Sequence, residues 1–290
     1  MKRNKFLLSV LLIIFLFFSF FQLENISAKS PFEIGVGLSY QHSSNNRLNV
    51  SGYSVVEVVN VGELEVRKIR RDILTSNIKL RYRLPKTSFE LVIPYKYQRE
   101  SIIKYADQQE TGEPTEEIKS AHGLGDATLN FQRTFNDEKS NFNLGIKTTT
   151  GQESGRQDTD INFGTNHYGL KVGYSHLKRL APVVIFGSIN YFWNIEKENI
   201  NPGDTLQYSM GLAYALSQNL SINTRLEHSI TSSTYQGANK IIGSGINSSS
   251  LYLGTSFANP DGSPLDFTVG IGLSEDSADF SFQINKPYYF

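Results

Sequence analysis

The chain has 290 residues and no cysteine, and its 28 Lys and Arg residues balance 28 Asp and Glu residues, so the formal charge is zero. The absence of cysteine excludes disulfide scaffolds and thiolate chemistry, and the balanced charge predicts no nucleic-acid partner. With 15 Tyr, 19 Phe and 23 Gly beside nine Pro, the composition is that of a β-rich protein rather than a disordered one.

The N-terminus has the layout of a secretory signal peptide. A basic start is followed by an almost unbroken apolar run over residues 6–21 and by small residues ending at Ala28. We predict a signal peptide over 1–28, with cleavage near Ala28. An uncleaved membrane anchor is the alternative, although the run is short of the roughly 20 residues that a spanning helix needs.

The rest of the chain alternates apolar and polar residues in segments separated by links without this pattern. The two-residue period is typical of a strand with one apolar and one polar face. We predict twelve strands, within 32–40, 77–84, 88–98, 126–135, 142–148, 167–176, 182–193, 206–216, 220–230, 250–257, 265–273 and 278–290.

The links between these segments alternate between short and long. The long ones include 43–72, 104–122, 151–162 and 232–245. Short turns at one end and longer loops at the other are typical of an outer-membrane β-barrel of a Gram-negative cell, with both termini on the periplasmic side when the strand count is even. We therefore predict an all-β fold, with a single transmembrane antiparallel barrel over 29–290. A soluble two-sheet sandwich is the alternative.

The stretch 46–72 leaves the strand count open. It also alternates, and one more hairpin there would make fourteen strands. Its many Glu, Arg and Lys residues are costly near lipid, so we interpret it as a strand pair that extends beyond the membrane.

The chain ends on an alternating strand, ADFSFQINKPYYF, with no polar tail. In a barrel the last strand pairs with the first, so such an ending leaves no free edge. A terminal aromatic preceded by apolar residues at alternate positions resembles the signal read by the outer-membrane assembly machinery. We assign that role to Phe290, Tyr288, Ile284 and Phe282.

Three motifs in order resemble a family of outer-membrane channels linked to the meta-cleavage pathway of phenol degradation. They are HGLGDATLNFQRTF (122–135), LGIKTTTGQES (144–154) and YGLKVGYSHLKRLAPVVIFGSINYFW (168–193). The resemblance covers most of the mature chain, and it implies a porin-like transporter in the outer membrane for small solutes, including aromatic or other hydrophobic compounds. It implies no catalytic residues. One departure is TTTG, where a proline-containing PTG is expected.

Charged residues on the second face of the strands would line the lumen and meet the solute. Both signs occur, so they predict no clear charge selectivity, and paired charges that stabilise the barrel are the simpler interpretation. Three basic residues on one strand could nevertheless favour anions. The predicted lumen residues are Lys79, Arg81, Arg83, Glu90, Lys96, Asp126, Lys147, Arg225 and Glu227.

YQHSSNNR (40–47) suggests a rival function. His42 and Ser44 are two apart on a strand, on the face predicted to meet lipid near the outer rim. This resembles outer-membrane hydrolases that cleave acyl esters, the phospholipase and the lipid A deacylase. Such chemistry needs a base beside the serine and a group that orients the imidazole, for which Asp72 is the candidate.

Other sites have weaker signals. The five histidines lack metal-ligand spacing, and Gly123-x-Gly125 lacks the third glycine of a phosphate loop. The segment QDTDINFG carries alternating Asp but no closing Glu, so it is a poor calcium loop. We predict no metal and no cofactor. The expected partners are outer-membrane lipid and lipopolysaccharide, the assembly machinery and a small-molecule solute.

Overall fold

A computed structural model describes residues 31–45, 67–104, 115–136, 139–152, 161–241, 243–259 and 263–289. In these ranges, no helix is long and apolar enough to cross a membrane. The strands are β1(Phe32–Asn45), β2(Arg67–Arg83), β3(Thr87–Lys104), β4(Thr115–Leu124), β5(Thr128–Phe135), β6(Ser140–Lys147), β7(Gly169–Leu180), β8(Val183–Asn194), β9(Ile200–Asn201), β10(Thr205–Ala215), β11(Leu220–Thr231), β12(Tyr235–Gln236), β13(Asn239–Lys240), β14(Ile246–Ala258), β15(Pro264–Gly272) and β16(Phe280–Tyr289).

The main sheet closes on itself. Its 13 strands follow the order β2-β1-β16-β15-β14-β11-β10-β8-β7-β6-β5-β3-β4, and β2 also pairs with β3. Strands β4 and β5 both pair with β3, over different parts of its length, so they share one position in the wall. The result is a closed antiparallel barrel of twelve wall positions, which confirms the predicted fold class.

The two faces of the wall differ as the alternation predicts. Large apolar side chains are exposed along one face of nearly every long strand, with Ile78, Leu253 and Met210 at 49%, 52% and 66% exposure. On a soluble protein a patch of this extent would drive association, whereas in lipid it is the stable arrangement. The alternate residues are mostly glycines and polar side chains, and they form the inner face of the barrel.

The strands nearest the N-terminus are longer than the sequence patterns predict. Strand β2 begins at Arg67 and pairs with β3 as far as Lys104, and residues 115–122 of the predicted link 104–122 lie in β4. The prediction of a loop over those residues was wrong because they pair with β3, and Ser101 donates a hydrogen bond to Glu116 across the two strands. The prediction of an extended strand pair in 46–72 falls mostly outside the described residues.

One wall position is interrupted. Strand β4 ends at Leu124 and β5 starts at Thr128, whereas the sequence pattern predicts a continuous strand from 126. Elsewhere, strands β9, β12 and β13 form a small second sheet that joins the links after β8 and β11.

Candidate transport lumen

At the end of the barrel where β1 begins and β16 ends, the inner face carries a group of paired charges on three adjacent strands, here called the charge belt: Glu33, Arg81, Arg83 and Glu90. Arg81 lies between two carboxylates, with Nη1 3.2 Å from Glu33 Oε1 and Nε donating to Glu90 Oε2 at 3.0 Å. Arg83 Nη2 lies 2.5 Å from Glu33 Oε2. The register causes this arrangement, because Glu33 lies opposite Arg81 and Arg81 opposite Glu90 across three adjacent strands.

The charge belt changes the interpretation of the three basic residues that share one strand, Lys79, Arg81 and Arg83. Two of the three, Arg81 and Arg83, are compensated by carboxylates on neighbouring strands. The third, Lys79, donates from Nζ to Asn285 Oδ1 at 3.2 Å, reaching across Gly35 of the intervening strand. A side chain there would be tight against Lys79, since an added Cβ would lie 3.3 Å from that of Lys79.

Two further lysines predicted to line the lumen also bind neutral groups. Lys147 Nζ donates to Asn194 Oδ1 at 3.3 Å, and Lys96 Nζ donates to the carbonyl of Phe163 at 3.3 Å. These bonds fix the side chains of both lysines without neutralising their charge.

Asp126 lies in the interruption between β4 and β5 rather than in a strand. Its carboxylate accepts hydrogen bonds from the backbone of Gly151 (3.0 Å) and from the backbone and hydroxyl of Thr165 (2.6 and 2.8 Å). Asp126 therefore anchors two separate chain segments, a role that the sequence did not reveal.

The anchored segments, 148–152 and 161–167, pack against the interrupted wall. Phe163 and Ile161 join Ala121 of β4 in a buried apolar cluster. Gly151 and Gly164 touch through their backbones, since a Cβ on Gly151 would lie 2.3 Å from the Cα of Gly164. The motif Gly-Leu-Gly-Asp thus marks a docking site for loops, with Gly125 and Asp126 at its centre.

His167 lies at the end of this docked segment. It is 2% exposed and its Nδ1 lies 3.2 Å from the carbonyl oxygen of Ile195, with which it forms a hydrogen bond. Burial lowers the pKa of the His167 imidazole below its usual value, with nearby Lys147 and Lys197 acting in the same direction.

Arg225 and Glu227 lie on the opposite part of the inner wall, on β11. Glu227 accepts a hydrogen bond from Gln207 at 2.9 Å, and the closest approach between Arg225 and Glu227 is 3.7 Å. A cavity of about 260 Å³ lies against Arg225 and Phe186, and another of about 280 Å³ against Glu227 and Tyr252. The sequence analysis missed both aromatics, whose signal was an aromatic residue at a polar position of the alternation.

The rival hydrolase residues lie on the outer face. His42 Nδ1 is 2.8 Å from Asp72 Oδ1, and Tyr40 donates its hydroxyl proton to the same oxygen at 2.6 Å. The pairing of His42 with Asp72 is as the rival hypothesis requires. The side chains of Ser44 and His42, both described, share no hydrogen bond, and the backbone N–H of Ser44 donates to Asp279 at 2.8 Å.

The proposed assembly residues also face outward where they are described. Tyr288, Ile284 and Phe282 lie opposite Ile34, Leu38 and Tyr40 of β1, in the pairing that closes the barrel. Tyr288 is exposed, and Lys286 Nζ lies 5.0 Å from its ring centroid. Phe290 falls outside the described residues.

Comparison with known proteins assigns the chain to a family. Residues 79–285 match the family described as "Putative MetA-pathway of phenol degradation". The chain belongs to this family. The match starts within β2 and ends within β16, so it covers every strand of the wall between them but not β1, and it agrees with the family suggested by the three sequence motifs.

Solved structures of channel proteins share this fold. An outer-membrane channel from Pseudomonas putida F1 superimposes with a TM-score of 0.64 at 15% identity, covering 93% of this chain and 98% of the other. The monoaromatic hydrocarbon channel CymD superimposes with a TM-score of 0.50 at 12% identity, covering 91% and 90%. At these identities the similarity establishes the barrel fold.

Proposed function

We propose that this protein is a channel of the Gram-negative outer membrane for small solutes, chiefly aromatic or other hydrophobic compounds. The observation that carries the proposal is a closed barrel with an apolar outer face and an inner face that bears two open cavities, of about 260 and 280 Å³. A cavity of roughly 150 Å³ is enough to hold benzene. The similarity to a monoaromatic hydrocarbon channel supports the same class of solute.

The lumen residues act in this proposal as a wall of fixed charge rather than as catalysts. The charges of the belt are compensated internally, which disfavours strong selection by charge at that level of the lumen. Twelve strands leave a narrow bore, which excludes polymers.

Single-channel recording in planar bilayers tests the pore directly. The purified barrel should give discrete conductance steps, and a panel of monoaromatic solutes should block them reversibly. Sucrose at the same concentration is the control and should leave the steps unchanged. A folded barrel whose current, if any, is blocked no better by aromatic solutes than by sucrose would contradict the proposal.

The orientation that we propose places both termini in the periplasm and the links 151–162 and 232–245 outside the cell. Because the chain has no native cysteine, single cysteines at Ser154 and Gly237 can be labelled in intact cells by a membrane-impermeant maleimide. Labelling that appears only after outer-membrane rupture would reverse the orientation.

The C-terminal strand is proposed as the mark that the assembly machinery recognises. Deletion of Phe290 should sharply lower the fraction of barrel that resists unfolding in unboiled gel samples, whereas Gln236→Ala in a short loop strand should not. Equal folded fractions for the two variants would show that the ending carries no signal.

The comparisons favour the channel over the hydrolase, and the His42–Asp72 hydrogen bond is explained as an outward polar contact near the rim. We propose no catalytic activity for this cluster.

A further inference from the structure

One row of the inner wall combines two aromatic rings with a guanidinium group. Phe186, Gly211, Arg225, Tyr252 and Gly270 lie side by side on five neighbouring strands, each directly opposite the next. Three of these side chains, Phe186, Arg225 and Tyr252, are called here the aromatic shelf.

The two glycines let the rings lie flat on the wall. A Cβ on Gly211 would lie 2.5 Å from Cζ of Phe186, and one on Gly270 would lie 2.6 Å from Cε1 of Tyr252. Each ring therefore covers its neighbouring glycine and lies along the wall instead of projecting across the lumen. A ring that lies along the wall can stack on an aromatic solute in the lumen.

Arg225 joins the two rings. Its Cζ lies 4.7 Å from the ring centroid of Tyr252, a cation–π distance, and it borders the same cavity as Phe186. Tyr252 borders the second cavity, so the shelf runs between the two.

The guanidinium of Arg225 retains hydrogen-bonding capacity, unlike those in the charge belt. Within the described part of the chain, Arg225 donates no hydrogen bond, and its Nε is buried without a partner. Arg225 forms an ion pair with Glu227 at 3.7 Å, which is beyond hydrogen-bond distance, and Glu227 also accepts a hydrogen bond from Gln207. By contrast, Arg81 contacts two carboxylates and Arg71 donates to Glu100.

The Arg225 side chain is 36% exposed, so its outer nitrogens can donate to a planar acid in the lumen. Guanidinium binds a carboxylate through two parallel hydrogen bonds, while an attached aromatic ring can stack on a neighbouring aromatic face. We propose that the shelf is a binding site for a planar aromatic carboxylate, with its ring on Phe186 or Tyr252 and its carboxylate on Arg225. This inference rests on the proposed channel function and names a solute class for it.

Block of the single-channel current by matched acids tests the shelf. Benzoate is planar, cyclohexanecarboxylate has the same charge without an aromatic ring, and benzyl alcohol has the ring without the charge. In the wild-type protein benzoate should block at a concentration at least tenfold lower than either of the other two.

Two variants separate charge from stacking. Arg225→Gln should weaken the benzoate block at least tenfold, and Tyr252→Leu should weaken it severalfold while leaving the cyclohexanecarboxylate block unchanged. The matched control is Arg71→Gln, which also removes an inner-face cation but one that already has a carboxylate partner, and it should change the benzoate block less than twofold. A mobility difference between boiled and unboiled samples on a gel confirms that each variant is folded.

Equal effects of Arg225→Gln and Arg71→Gln would overturn the site, because benzoate would then sense only the overall charge of the lumen. Equal block by benzoate and cyclohexanecarboxylate would overturn it as well. The current recorded without any acid tests the channel separately from the shelf. If the barrel conducts and neutral aromatic solutes block it, the channel function stands even when the aromatic shelf does not bind benzoate.

Discussion

The charge belt and the aromatic shelf use arginine in opposite ways. In the belt, Arg81 lies between Glu33 and Glu90, so its charge is compensated within the wall. On the shelf, Arg225 packs against an aromatic ring and lacks a hydrogen-bond partner among the described residues. The same residue type on the same face therefore stabilises the wall in one place and, in our proposal, binds a solute in the other.

Residue type and strand face therefore do not by themselves identify a solute contact. Whether a charged side chain is compensated depends on its partner on the adjacent strand, and the register sets that partner. Four experiments test this distinction between groups that stabilise the barrel and groups that face the solute.

The largest effect is expected at Asp126, the firmest structural anchor. Asp126→Ala removes the acceptor of three hydrogen bonds from Gly151 and Thr165 and should destabilise the barrel by about 3 kcal/mol, since bonds to a charged group contribute roughly 1.5–3 kcal/mol each and losses are not fully additive. The loss of stability is measured as the temperature at which the folded band changes to the unfolded band on a gel. Thr165→Val, which loses only the hydroxyl bond, should show a smaller decrease, and an unchanged midpoint for Asp126→Ala would contradict the anchoring role.

A change in the belt should alter selectivity. The double variant Glu33→Gln, Glu90→Gln leaves Arg81 and Arg83 uncompensated, so the anion-to-cation permeability ratio should rise by roughly fivefold, equivalent to about 1 kcal/mol. The reversal potential in a KCl gradient reports this ratio. Glu100→Gln, which releases Arg71 alone, is the control and should raise the ratio less; no change in the double variant would show that the belt does not face the ion path.

Acidification should loosen the docked segment. Burial lowers the pKa of His167, so its neutral form is favoured in the folded protein. The associated stability is present above the usual histidine pKa of about 6.5 and is lost as the pH falls below it, because the unfolded chain then binds the proton more readily. The unfolding midpoint of the wild type should fall between pH 7.5 and pH 5 by more than that of His167→Asn. Parallel decreases in the two proteins would refute this assignment.

The smallest effect is expected on the outer face. His42→Ala removes a hydrogen bond to a partly exposed carboxylate and should cost at most about 1 kcal/mol, with no change in conductance. Detergent-solubilised wild-type protein should cleave neither phospholipid nor lipopolysaccharide acyl esters. Ester cleavage abolished by Ser44→Ala would restore the hydrolase as a function of this cluster.

The sequence predicts the barrel well because a two-residue period encodes two faces directly. The runs around Val36, Ile78 and Leu253 predicted both strand and face, and the apolar ending predicted the closing pair of β1 with β16. Links with many charges were harder, since β4 is stabilised by pairing with β3 rather than by its own apolar pattern.

The finer features depend on contacts between residues far apart in the chain. Asp126 accepts a hydrogen bond from Thr165 across a sequence separation of 39 residues. Phe186 and Arg225 share one row of the wall only because of the register of three strands. A period along one strand carries no information about which residue lies opposite on the next. For the same reason the lumen charges were predicted as a group, while their division into a compensated belt and an available Arg225 was not.

Uptake by intact Gram-negative cells is the most direct test of the proposed channel for aromatic solutes, because lipopolysaccharide slows hydrophobic solutes that would cross an ordinary bilayer. Cells that express the barrel and cells that carry an empty vector would be given a radiolabelled monoaromatic hydrocarbon, with the folded protein confirmed in the outer membrane by its gel shift. A channel for aromatic solutes predicts severalfold faster uptake in the expressing cells and no change for a labelled trisaccharide. Equal uptake of the aromatic compound by both strains would contradict the proposed function.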